Sequence, residues 1–146
     1  MAERFRRVDR GSVLFLFPAA FLIVLVLGAI AIDSGAAFLR QRELAAAADA
    51  AANDAVTLAI HDSVALGAEP IIDPAAAEAA VRQSLARRGL LDGLSAPPRV
   101  TVIAADRLEV HLEAVAEYVI APALPGGVDG TPVEATVTVR LAVDDG

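Results

Sequence analysis

The chain contains no cysteine, no tryptophan and no lysine, and only one tyrosine and two histidines among 146 residues. Without cysteine it has neither a disulfide framework nor a thiolate metal site. With so few aromatic rings there is little on which to stack a sugar or a base. Its serines (Ser12, Ser34, Ser63, Ser84 and Ser95) lie outside any Gly-x-Ser-x-Gly elbow, and two histidines with scattered acids do not compose a triad. The glycines at 126, 127 and 130 are not followed by Gly-Lys-Ser/Thr and a helix, as a phosphate-cradling loop requires. A formal charge of −7 argues against nucleic acid, whose phosphates call for a basic surface. Neither an enzyme nor a cofactor is expected.

What the chain has instead is one long uncharged run, residues 13–32 (VLFLFPAAFLIVLVLGAIAI). Twenty helical residues at about 1.5 Å each span roughly 30 Å, the thickness of a bilayer's hydrocarbon core. The run passes without a break signal into residues 33–60, which are polar but strongly helix-forming. The expectation is one continuous helix, transmembrane over 13–32 and a stalk in water over 33–60. Residues 1–12 hold Arg4, Arg6, Arg7 and Arg10 against Glu3 and Asp9. Arginine beside a span favours the cytoplasmic side, so the expected topology is N-terminus in and C-terminus out across the inner membrane. The alternative is a cleaved secretory signal, for which Ala29-Ile30-Ala31 offers a small-x-small site. The run is longer than a signal's usual apolar region of about 7–15 residues.

Pro18 removes one backbone bond inside the span and is expected to kink it locally. Gly28, Ala29 and Ala31 make the span slender at its far end, which permits close helix contact in lipid. Asp33 stands at the interface, either as a polar stop or paired with a basic group of a neighbouring subunit. Leu44, Ala48, Ala51, Ala55 and Leu58 recur at four-three-four-three spacing, a narrow seam on one helix face. That seam either covers the chain's own sheet or meets another subunit.

These residues resemble the N-terminal segment of TadE/TadG-like Flp (tight adherence) pilus-assembly proteins. Arg-Gly-Ser stands before an apolar run with a proline, Asp33-x-Gly35 closes the run, and Arg42-Glu-Leu precedes Ala-Ala-Asp-Ala-Ala-Ala at 47–52. The similarity covers about residues 10–59. It implies a bitopic envelope protein, a minor pilin-like or assembly subunit whose partners are membrane lipid and other pilus or secretion subunits, including its own copies. TadE-type members are processed after a glycine that has a glutamate five residues on. Here that places cleavage between Gly11 and Ser12, with Leu16 in the glutamate position. The departure favours the TadG-like form, which keeps its anchor. Gly28, Asp33, Gly35, Ala48, Ala51 and Ala55 are the expected partner contacts.

Residues 61–146 are expected to form a small extracytoplasmic domain of α+β class, completing an architecture of one long helix, one short helix and a three-stranded antiparallel sheet. His61-Asp-Ser and Gly67 to Pro70 read as loop. Asp73-Pro74 opens the short helix as N-cap and first residue, with Ala77, Val81 and Leu85 on one face and Glu78 paired with Arg82. Gly89 closes it, and Leu90, Leu91 and Leu94 follow as apolar contacts. The period then changes to two: a strand at 100–104, a turn at Ala105-Asp106, a strand at 108–120 and, after a Pro/Gly-rich loop, a strand from Val133 to Val143. Glu109, His111 and Glu113 share the wet face of the middle strand. A histidine between carboxylates can bind a divalent metal, but alternate strand residues stand about 6.6 Å apart, so all three converge only if the strand bends. That trio defines the rival reading, a membrane-tethered module that captures an ion or peptide.

Overall fold

The computed structural model describes residues 12–67, 71–124 and 126–141, so residues 1–11 with their arginines, Gly11 of the processing motif and Val143 lie outside it. Its elements are helix α1 (Ser12–Leu66), helix α2 (Pro74–Arg87) and strands β1 (Arg99–Ala104), β2 (Arg107–Glu117) and β3 (Gly130–Arg140), with single 3-10 turns at Leu91–Gly93 and Ala121–Ala123. The class is α+β, and the sheet is an antiparallel meander in the order β1-β2-β3.

Helix α1 is unbroken for 55 residues, through Pro18 and past the expected end at residue 60. His61, Asp62 and Ser63, expected in a loop, continue the helix. Nothing in 60–66 breaks it; the stop is Gly67, whose φ of 62° reverses the chain at a conformation costly for other residues. Up to residue 32 the side chains from Leu16 onward are exposed, apart from Ala29. From Asp33 onward one face becomes buried, and α1 packs across β2 and β3 and against α2. Leu44, Ala47, Ala48, Ala51, Ala52, Ala55 and Val56 form this face. It is wider than the expected seam because the true period is 3.6 rather than 3.5, and Leu58, included in that seam, is rotated out to 46% exposure. Small side chains here let the helix backbone approach the sheet closely.

The sheet supplies the other half of the core. Leu108, Val110, Leu112, Ala114 and Ala116 alternate inward on β2 and are buried, and Val133 and Ala135 lie opposite Ala114 and Leu112 on β3. Strand β2 ends at Glu117, so Tyr118 and Ile120 leave the expected strand for a loop. Helix α2 follows its sequence signals: the Asp73 carboxylate accepts from Ala76 N–H at 2.7 Å, Ala77, Val81 and Leu85 are buried, and Arg82 bonds Glu78 at 2.6 Å. The crossing of α1 and α2 is pinned by a polar contact that sequence does not announce. The fully buried Ser84 donates its hydroxyl to Asp54 at 2.6 Å, and Arg87 reaches the same carboxylate at 3.3 Å. The buried hydroxyl is thereby satisfied rather than desolvated without a partner.

Candidate functional site

The feature that joins the apolar half of α1 to the folded domain is the carboxylate of Asp33. It is 6% exposed and accepts three backbone N–H groups from the loop after β2: Val119 and Ile120 on Oδ1 at 2.7 and 2.9 Å, and Ala121 on Oδ2 at 2.9 Å. Burial by itself raises this carboxyl, but the hydrogen bonds from Ile120, Ala121 and Val119 outweigh it and hold the group below its ordinary 3.8. The loop needs such an acceptor. Its successive N–H groups converge at the start of the 121–123 turn, where no strand partner exists to take them. The carboxylate that the sequence offers either as a polar stop or to a basic group of a neighbouring subunit has its oxygens held by amides of its own chain.

The loop itself is tightly closed. Tyr118 N–H donates to Asp129 at 2.9 Å across its neck, and Gly127 N–H donates to the Leu124 carbonyl at 2.9 Å. A Cβ at Gly127 would stand 1.8 Å from the Ala121 carbonyl oxygen, so only glycine permits this approach.

The remaining expected contacts separate into two groups. Ala48, Ala51 and Ala55 are 0, 0 and 2% exposed in the chain's own core, the first of the two arrangements expected for the seam. The sheet and α2 already occupy their face. Gly28 and Gly35 differ. They lie seven residues apart on one exposed side of α1, and a Cβ added at either meets nothing within 4 Å. Glycine in a helix interior costs roughly 1 kcal/mol relative to alanine, and the chain's own packing gives no reason for it at either position.

On the wet sheet face His111 Nε2 lies 3.1 Å from Glu113 Oε1, and His111 Nδ1 lies 2.8 Å from Thr136 Oγ1. Arg99 also reaches Glu113. The side chains of two of the three candidates meet despite the spacing of their backbones, but Glu109 takes no part. Among the described residues no group of three His, Asp or Glu side chains is arranged to hold a metal ion. Thr136 and Arg99 supply the partners that a cation would have to displace.

The amides of Val119, Ile120 and Ala121 are the residues that sequence reading overlooked. Their one signal was the uncharged stretch YVIAPALPGGV, residues 118–128, standing between Glu117 and Asp129 in an acidic domain.

The architecture is α+β: among the described residues α1 is the one helix long and apolar enough to cross a bilayer, and its continuation is the spine of the domain. Residues 11–58, which lie almost wholly on that helix, match the family model described as putative Flp pilus-assembly TadE/G-like, the family that the sequence resembles. That is a structural assembly family, and the match with the apolar helix fits a pilus-assembly-related membrane protein. No curated protein and no solved structure matches the chain.

Proposed function

We propose that the chain is a single-pass inner-membrane subunit of a Flp/Tad-type pilus or secretion apparatus, with its N-terminus in the cytoplasm and its acidic α+β domain outside. The observation that carries this reading is the coincidence of the TadE/G-like match with α1, which is apolar and exposed over residues 16–32 apart from Ala29 and forms part of a domain core beyond them. The role is structural. The span holds the chain in lipid by hydrophobic transfer, and the domain is rigidly continuous with it through α1 and the Asp33 clasp.

Partner contact is assigned to the side of α1 carrying Gly28 and Gly35, which neighbours the exposed Phe38 and Leu39. Small residues there let a second helix approach within lipid and just above it, so that dispersion contacts accumulate along two turns. Replacing both glycines with leucine is expected to leave membrane insertion and the domain fold intact while reducing cross-linking of α1 to other apparatus subunits, or to a second copy, severalfold. Photo-cross-linking from position 32 in cells assembling the apparatus provides the measurement. Undiminished cross-linking by a stable, inserted double variant would remove the assignment of this face.

A further inference from the structure

The loop that Asp33 clasps carries three large apolar side chains turned to solvent: Val119 at 68%, Leu124 at 46% and Val128 at 60% exposure. Their position along α1 explains them. The uncharged run ends at residue 32, and the loop's amides are fastened to the very next residue. Ala29, about 6 Å deeper along the axis and close to Asp33 around the helix, is buried as well, although its neighbours in the run are exposed. The headgroup zone of a bilayer is about 5–7 Å deep on each side, so a loop attached at Asp33 stands within it.

We propose that the two arms of this loop, residues 118–124 and 126–129, are a second membrane contact, with Val119, Leu124 and Val128 lying in the headgroup zone of the leaflet from which α1 emerges. This rests on the reading of α1 as a retained span. Three properties of the loop suit it to lipid rather than to an aqueous partner. Residues 118–128 carry no charge, in a chain whose net charge of −7 would otherwise be repelled by anionic lipid. The amides of residues 119–121 are already satisfied by a carboxylate, so they meet the low-dielectric boundary without an unpaired donor. The chain's one tyrosine, Tyr118, stands at the neck, and tyrosine is a residue enriched at membrane interfaces. Fixed at both Ile32 and the loop, the domain would be set at one tilt to the bilayer rather than swinging on a free stalk.

The absence of cysteine permits a clean test. Full-length chains with a single cysteine at position 119, 124 or 128 are spin-labelled and reconstituted into phosphatidylcholine vesicles. Collision rates with oxygen, which partitions into lipid, and with a water-soluble nickel chelate are compared. Leu25→Cys serves as the lipid reference and Thr138→Cys, on the wet sheet face, as the aqueous one. All these sites are exposed, so labelling does not disturb the core. The expected oxygen-to-nickel ratio at the loop sites is severalfold above that at 138 and below that at 25. Loop sites indistinguishable from 138, with 25 still lipid-like, would overturn the loop contact and leave the anchor standing. An aqueous value at 25 would overturn the anchor and the loop contact with it.

Discussion

Replacing Ala51 with leucine is expected to destabilise the folded domain by roughly 1–3 kcal/mol, the usual cost of forcing methylenes into a filled core. Ala51 has no exposed surface and belongs to the face of α1 that packs on the sheet and α2. Three added carbons have nowhere to go unless the helix moves off the sheet, and Ala48 and Ala52, equally buried, would lose contacts with it. At about 4–8 °C per kcal/mol for a domain of this size, the unfolding midpoint of the purified chain should fall by several degrees or more. Leucine at Ala46, on the exposed side, should change it by no more than about 0.5 kcal/mol. The pair of variants separates two roles. Were Ala51 a contact for another subunit, the isolated protein would keep its stability and only assembly would suffer.

The second large effect is expected at Asp33. Replacement by alanine leaves the amides of Val119, Ile120 and Ala121 without their acceptor, while asparagine keeps the shape but loses the charge and one accepting oxygen. Hydrogen exchange at those three amides should accelerate by roughly tenfold or more in the alanine variant, because the loop then opens without the rest of the domain. Amides in the middle of β2 should be unchanged. Acid should act in the same direction on the parent chain. The Asp33 carboxyl is held below its ordinary value in the folded state, so its stabilising contribution is complete above the unfolded value of 3.8 and disappears as pH falls through the folded value. Asp106 has the same sign, through its 2.7 Å hydrogen bond from Arg140. Both contributions are therefore constant between pH 5 and 7 and are lost only below about pH 4. Loop exchange that is insensitive to Asp33→Ala would mean that the clasp does not hold the loop.

Much of this architecture was legible in the residues because local signals and burial agreed. The period-two pattern from Leu108 to Ala116 gave β2 its inward face, and Asp73-Pro74 with Gly89 bracketed α2 to within a residue or two. The long helix was legible as well, since from Ser12 to Ile60 only Pro18 disturbs the pattern, and the helix runs through it. Its final turn was not, because His61-Asp-Ser carries polarity without a helix breaker, and polarity alone is a poor stop signal.

The site was harder to read, for a different reason. A seam of alanines has the same sequence appearance whether it meets its own sheet or another molecule, since both demand only a close approach. Only the fold shows that Ala48, Ala51 and Ala55 are occupied. Asp33 presented the same ambiguity. A carboxylate at the end of an apolar run announces that it needs a partner, but the partner is a set of backbone amides 86 to 88 residues away, and amides leave no mark in a sequence. His111 and Glu113 meet through the reach of their side chains, which backbone spacing does not reveal.

The account depends on a single helix passing from lipid directly into a protein core at Asp33. Cysteine scanning of α1 from position 16 to 42 in intact inner-membrane vesicles of known orientation, read with a membrane-impermeant maleimide, tests that most directly. The account predicts no labelling from 16 to 32 on either side, then labelling at exposed positions such as 35, 39 and 42 only from the periplasmic side. Labelling at position 25, or at 39 from the cytoplasmic side, would contradict it.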